Sequence, residues 1–275
     1  MSMNIINRDL FQTLENQLDN DIYLILVGPR QVGKTVFLHY LQKNVLPKKY
    51  PESKIFYFNL ENEDLLLHFT DYQTLLNYLK LQGFNNNQKT FLLLDEFQKM
   101  EKPTKLLKLL FDEHPNLKVI ATGSSSLDIY KKLRHESMAG RKLVFDMLPL
   151  NFSEFLRFQD PSKETIFQNI KPNIDKTTLE NVLHSDLNSF FIEFLLYGGY
   201  PRPALEKTIE NKKLLLNSYV QRDIQGILKL ENTTPYTKLV ALLSSQIGNL
   251  LSKNELSNTL QINNADLGNY LTVLA

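Results

Sequence analysis

The sequence predicts an α/β protein: a parallel β-sheet covered by helices on both faces in three layers, followed by an all-helical portion. Three observations predict it. Short apolar runs alternate along the first 150 residues with stretches of helical periodicity, which is the pattern of βαβ crossovers. Between the first run and the helical stretch after it stands Gly28-Pro29-Arg30-Gln31-Val32-Gly33-Lys34-Thr35. It matches G-x-x-x-x-G-K-[ST], a phosphate-binding loop that needs a strand before it and a helix after it. The run from Thr90 closes on Asp95-Glu96, a pair of carboxylates at a strand end.

Composition narrows the class. The chain has 275 residues, a formal net charge of +1 and no cysteine. Disulfides, thiol catalysis and cysteine-ligated zinc are excluded, and no global field argues for nucleic acid or membrane. No apolar run reaches the length of a membrane span, and the first eight residues lack the apolar core of a signal peptide. The expectation is a soluble, cytoplasmic protein with no membrane partner. The five histidines, at positions 39, 68, 114, 135 and 184, show no metal-ligand spacing.

Arg8 to Leu18 places Leu10, Phe11, Leu14 and Leu18 on one helical face. Residues 22–27 are a buried strand. Gly28 and Gly33 permit loop conformations that a Cβ forbids, and the backbone amides and helix N-terminus point at a phosphate. Residues Gly28 to Val36 are therefore the candidate nucleotide-binding loop. Lys34 reaches the β- and γ-phosphates and Thr35 places its hydroxyl on Mg²⁺. Pro47 to Pro51 reads as a loop, residues 54–61 as the second strand and Asp64 to Leu81 as one helix.

The strand ending in Asp95 is the second nucleotide signature. Asp95 holds Mg²⁺, directly or through water, and Glu96 polarises an attacking water as general base. Residues 105–113 read as a helix and 117–122 as the fourth strand, which runs into Thr122-Gly123-Ser124-Ser125-Ser126. Two readings stand for that end. Thr122, Ser124 or Ser125 contacts the γ-phosphate or the water, or the segment is a Gly-Ser turn capping the next helix. Residues 127–136 are helical and 143–148 form the fifth strand. Ligands of such a sheet bind at the carboxyl ends of its strands.

These residues carry a resemblance. The Gly-Lys-Thr loop, Leu-Asp-Glu-Phe-Gln, Thr-Gly-Ser-Ser-Ser, Ala139-Gly140-Arg141, Pro149-Leu150-Asn151-Phe152-Ser153-Glu154-Phe155 and Gly198-Gly199-Tyr200-Pro201 come in this order. The chain resembles bacterial and archaeal AAA-superfamily P-loop ATPases of a largely uncharacterised kind, related to the archaeal and signal-transducing ATPases. The resemblance implies strand order 5-1-4-3-2, a helical lid after the sheet, and ATP with Mg²⁺ as cofactors. It also implies that Tyr200 and Pro201 lie near the adenine or ribose. In AAA proteins the segment before the fifth strand supplies an arginine finger to a neighbouring subunit. Arg141 is that candidate and Arg134 the second, with a homo-oligomer implied; a surface pairing of Arg141 with a carboxylate such as Asp146 is the alternative. Arg202 and Arg222 are weaker candidates for a lid arginine.

Asp160 to Thr178 is polar and contains Pro161 and Pro172, so a mobile connection is expected. Residues 179–197 and 205–230 are helical by periodicity and form the lid. From Tyr236 three short helices follow, the second opened by Ser252-Lys253-Asn254-Glu255 and the third capped by Asn263 or Asn264. A helix-turn-helix opening a winged helix fits this. Its third helix contains no Lys or Arg between Asn263 and Ala275, so the phosphate-directed charge that dominates DNA affinity is missing there. A protein partner fits better than DNA. The expected domains are an ATPase core at 1–158, the lid at 159–232 and a partial winged-helix module at 233–275. Members of the group usually continue with a wing and a further domain, so this chain is expected to be a piece of a longer protein.

Two functions from different classes follow: ATP hydrolysis coupled to a conformational change, or a nucleotide-gated switch of little turnover that binds DNA or a protein. A small-molecule kinase is disfavoured, because the Asp95-Glu96 pair suits water as nucleophile.

Overall fold

A computed structural model of the chain describes residues 7–124, 138–170, 187–219 and 233–274. The molecule divides into two compact units, Met1–Lys207 and Thr208–Ala275.

The first unit is built on a five-stranded sheet: β1 Tyr23–Gly28, β2 Lys54–Asn59, β3 Thr90–Asp95, β4 Leu117–Ser124 and β5 Lys142–Asp146. Every pairing is parallel and the order is β2-β3-β4-β1-β5. This is the expected order 5-1-4-3-2 read from the other edge. Strand β1 is buried along its whole length, and its side chains divide by parity. Tyr23, Ile25 and Val27 enter one core, Leu24 and Leu26 the other, as the two-residue period of a strand requires. Phe91 and Leu93 against Leu92 and Leu94 repeat the division on β3.

Helices α5 (Tyr72–Leu81) and α6 (Pro103–Glu113) cover the first face with Leu75, Leu79, Leu107 and Leu110. Helices α1 (Asp9–Glu15) and α2 (Lys34–Tyr40) cover the second with Phe11, Leu14, Phe37 and Leu38. The three layers are thus two cores with the sheet between them. Each fully buried Leu or Phe contributes about 1.5–3 kcal/mol.

Three local expectations are corrected. The loop expected at Pro47 begins as helix: after α2 a wider π-type turn at Leu41–Val45 leads into α3, Leu46–Lys49. Pro47 lies in the first turn of α3, where its missing N–H costs nothing. The single helix expected over 64–81 is broken. Asn62 caps α4 (Glu63–Leu66), and Asp71 accepts from the Thr74 amide to start α5 afresh; the caps outweigh the continuous apolar period. The connection expected from Asp160 holds a helix, α8 (Pro161–Ile170). Pro161 opens it, and Glu164 ties it to α7 (Phe152–Gln159) through Arg157. The rest of that stretch, residues 171–178, and the helix expected at 127–136 lie outside the described residues.

Beyond the sheet, α9 (Leu187–Tyr197) and α10 (Pro201–Glu206) pack with α7 around Leu150, Phe155 and Ala204. The second unit contains α11 (Ile209–Tyr219) and a three-helix group, α12 (Thr234–Ser245), α13 (Lys253–Leu260) and α14 (Asn264–Leu274). Tyr236, Leu239, Leu256, Leu260, Leu267 and Tyr270 form its core. Ser252 caps α13, and Asn263 caps α14 by accepting from the Asp266 amide at 2.7 Å. No helix among the described residues is long and apolar enough to cross a membrane.

Candidate nucleotide site

The loop after β1 is shaped by backbone constraints. Met147 donates its amide to the Val27 carbonyl at 2.7 Å, which brings the segment after β5 hard against Gly28. A Cβ on Gly28 would stand 2.2 Å from the Met147 carbonyl oxygen, so only glycine fits. Gln31 at φ 64° and Gly33 at φ 105° are both left-handed, and they turn the loop back before α2 begins. Val32 is fully buried in the second core and anchors the loop.

Lys34 is 5% exposed. Its ammonium donates to the Gly28 carbonyl at 2.9 Å and the Pro29 carbonyl at 2.7 Å. The cation is thereby stationed under its own loop. Pro29 and Arg30 are half-buried, while Thr35 and Val36 stand exposed on the first turn of α2.

The neighbouring strands supply the other wall. Register places Leu26 beside Thr122 and Gly28 beside Ser124, with β3 on the far side of β4. Asp95 is 2% exposed at the end of β3. It accepts a short hydrogen bond from the Thr122 hydroxyl and another at 3.3 Å from the Tyr57 hydroxyl. Burial first, and then the Asp95 charge, push the Tyr57 hydroxyl well above its ordinary pKa, so it remains a neutral donor.

Glu96 stands at φ 57°. Holding a glutamate there costs on the order of 1 kcal/mol, and such strain clusters at functional positions. Its amide donates to the Thr122 hydroxyl at 3.4 Å. Its carboxylate accepts a short hydrogen bond from the Gln98 amide, which also donates to the Ser124 hydroxyl at 3.1 Å. Gly123 makes room for this turn, since a Cβ there would lie 2.7 Å from the Phe97 ring. Gln98 and Tyr57 were not singled out by the sequence. The signal for Gln98 was its place two residues after Glu96. Tyr57 is a mid-strand residue, and only the β2–β3 pairing reveals it.

The structure gathers the loop, Asp95, Glu96, Thr122 and Ser124 at the carboxyl ends of adjacent strands. The Thr122 hydroxyl donates to the Asp95 carboxylate and accepts from the Glu96 backbone N–H. Arg141 stands elsewhere. The Tyr23 amide donates to the Arg141 carbonyl at 2.9 Å, so it marks the amino end of the sheet, about 17 Å along β1 from Gly28 at ~3.3 Å per residue. Its Nε donates to Asp112 at 2.7 Å and its guanidinium lies 5.9 Å from the Phe111 ring centre. The carboxylate partner is Asp112 of α6.

Tyr200 packs on the second core, and Pro201 opens α10. The Leu150 amide donates to the Gly199 carbonyl at 2.6 Å, and a Cβ on Gly199 would meet the Leu150 oxygen at 2.2 Å. The Gly-Gly-Tyr-Pro and Pro-Leu-Asn-Phe motifs, 49 residues apart at their starts, thus dock on one another. Arg202 pairs with Glu206 at 2.9 Å. Arg134, Ser125 and Arg222 lie outside the described residues.

The donor set suits a nucleotide phosphate with magnesium. The buried Lys34 ammonium and the glycine-shaped loop would face a phosphate, and the Thr35 hydroxyl and Asp95 would hold a cation that keeps several waters. No cluster of three or more His, Cys, Asp or Glu able to hold a metal occurs among the described residues.

A family model described as an AAA domain matches residues 20–156, and one described as a domain of unknown function matches residues 188–275. An uncharacterized protein of Methanocaldococcus jannaschii is 30% identical over 261 residues, covering 94% of this chain and 53% of that protein. Another from the same archaeon is 29% identical over 283 residues, 96% of this chain and 58% of that protein. The chain therefore spans little more than half the length of these relatives. Among solved structures, the Aeropyrum pernix ORC1 protein in complex with DNA is similar at TM-score 0.42 and 11% identity, over 96% of this chain and 81% of that one. C. elegans PCH-2 is similar at TM-score 0.43 and 16% identity, over 72% and 58%.

Proposed function

From the match of residues 20–156 to an AAA domain, we propose that the protein binds MgATP and hydrolyses it to ADP and phosphate, coupled to a conformational change. The observation that carries this is the convergence of the Lys34 loop with Asp95 and Glu96 at the carboxyl ends of β1 and β3. In this reading Lys34 orients the β- and γ-phosphates while the loop amides hold them. Thr35 and Asp95 hold the magnesium, which when bound neutralises charge on the phosphates. Glu96 accepts a proton from the attacking water, Thr122 and Ser124 contact the γ-phosphate or that water, and Thr122 also holds Asp95. Positioning and electrostatics do most of the catalysis. Tyr200, packed on the second core, and Pro201 are the candidates for a base or ribose contact.

Arg141 is too far along the sheet to serve its own loop. A finger role for it requires a second copy of the chain, so turnover would rise with protein concentration. The α12–α14 group opens a winged helix in this reading. The absence of Lys and Arg from Asn263 onward favours a protein partner over DNA for α14.

One observation favours the switch alternative: the Glu96 carboxylate is engaged by Gln98 and must be released or reoriented before it takes a proton. Phosphate release from MgATP across protein concentrations, with ATP binding measured in parallel, separates the two. Hydrolysis predicts turnover that depends on magnesium and is lost in Glu96→Gln while ATP still binds. Binding without turnover in both proteins would favour the switch.

A further inference from the structure

We infer that Arg8 is a positioning residue for the phosphate-binding loop, held to that task by Glu154. The inference rests on the nucleotide-binding reading and assigns part of its affinity to a residue outside the loop.

Arg8 is 6% exposed and Glu154 is 3% exposed. The guanidinium meets the carboxylate in a two-pronged pair, Nε to Oε1 at 2.8 Å and Nη2 to Oε2 at 3.0 Å. Nη2 also donates to the Leu148 carbonyl at 2.9 Å and the Pro149 carbonyl at 3.4 Å. Nη1 donates to the Val32 carbonyl at 3.2 Å. One planar fork thus joins the chain before α1, the segment between β5 and α7, and the loop itself. A buried ion pair is weak evidence of stability, so the reason for burying this one lies in what else it touches.

What it touches is the peptide between Val32 and Gly33. Its carbonyl faces the arginine, and its N–H belongs to the left-handed Gly33 that opens α2. A cationic donor on a carbonyl polarises the whole peptide unit and strengthens its N–H as a donor. Loop amides of this kind hold a phosphate. Arg8 therefore fixes the orientation of that peptide and sharpens its donor.

Glu154 is equally occupied. Oε1 also accepts from the Asp9 amide at 3.1 Å, and Oε2 from the Asn151 amide at 3.1 Å as part of the capping box of α7. Both oxygens are fixed by backbone, so the carboxylate is a rigid seat for the guanidinium. This gives Glu154 of the Pro149–Phe155 stretch a task that nucleotide chemistry alone had not supplied.

Lysine at position 8 keeps the charge and loses the fork, and a point cation cannot hold Val32, Leu148 and both Glu154 oxygens together. Equilibrium binding of MgATP, thermal unfolding without nucleotide, and steady-state hydrolysis test the inference on wild type, Lys34→Ala, Arg8→Lys and Glu154→Gln. The expected result is MgATP affinity lower by about tenfold in Arg8→Lys and Glu154→Gln, with cooperative unfolding retained. KM rises while kcat stays within about twofold, because the loss is in holding the phosphates. The double variant loses less than the product of the single losses, since the two residues act as one unit. Should Arg8→Lys fail to fold, Glu154→Gln carries the same comparison. A lowered unfolding midpoint with wild-type affinity and KM would overturn the inference and leave the pair a structural brace. Absence of MgATP binding in wild type, unchanged by Lys34→Ala, would instead remove the nucleotide reading and this inference with it.

Discussion

Two buried lysines stand at opposite ends of the sheet, each with its ammonium on two backbone carbonyls. Lys34 donates to Gly28 and Pro29 at the carboxyl end. Lys118, on the second residue of β4, donates to Gln17 and Asn20 at the amino end. They are 5% and 6% exposed. What differs is the surrounding backbone. Lys34 follows two left-handed residues, Gln31 and Gly33, at the end of the sheet where β3 closes on Asp95 and β4 on Ser124. Lys118 sits under the connection between α1 and β1 and donates to those carbonyls, and the carboxylates that act on it, Asp19 and Asp21, are exposed. A buried lysine is therefore not a site in itself. The site is the strained loop and the polar strand ends around it.

The comparison can be broken or sharpened. The largest effect belongs to Glu96. Glu96→Gln should lower the turnover of MgATP by about 10²–10⁴-fold, the usual worth of a general base, while isothermal titration still registers binding. Undiminished turnover would mean that the strain at position 96 serves something else.

Gly28→Ala comes next. The 2.2 Å approach to Met147 involves backbone on both sides and cannot relax cheaply. Unfolding by denaturant should show a loss of about 1–3 kcal/mol, together with weakened nucleotide binding.

At the amino end the sign reverses. Burial pulls the Lys118 pKa from its ordinary 10.5 down to about 8. Below pH 8 the ammonium is charged in both folded and unfolded states, and its desolvation cost is fully present. Between about pH 8 and 10.5 the unfolded chain binds more protons than the folded one, so this group's contribution to stability rises with pH. Lys118→Met should raise stability at pH 7 by on the order of 1 kcal/mol and flatten that rise; chemical denaturation across pH reads both. A destabilised variant with an unchanged pH profile would show that the two carbonyl contacts outweigh desolvation.

The smallest effect on stability is expected at Arg141. Its pair with Asp112 is about a third exposed on each side, and removing such a pair costs about 0–1 kcal/mol. Arg141→Ala should leave the unfolding midpoint and MgATP affinity near wild type. If it acts in trans, it should abolish the concentration dependence of turnover.

What the sequence made legible were features written in neighbouring residues. The phosphate loop, the apolar strands and the Asp95-Glu96 end each announce themselves within eight residues, and the sheet delivers them to one edge. Features written across the chain were hidden. Arg8 and Glu154 are 146 positions apart, and no local window joins them. Tyr57 reaches Asp95 only through the β2–β3 register. Helix α8 is hidden in the sequence by Pro161, Pro172 and a polar composition, although Pro161 opens it and Arg157 holds Glu164 from the preceding helix. The break at Asp71 is local but hidden, because the apolar period runs through the cap that interrupts it. The expected carboxylate for Arg141, Asp146, lies five residues on along the sequence, whereas the helix end at Asp112 reaches it in space.

The most direct test of the central claim is equilibrium binding of MgATP to wild type, Lys34→Ala and Lys118→Met side by side. The account predicts binding in wild type and Lys118→Met at similar affinity and its loss, by about 10²-fold or more, in Lys34→Ala. Equal affinity in all three proteins, or loss in Lys118→Met alone, would contradict it.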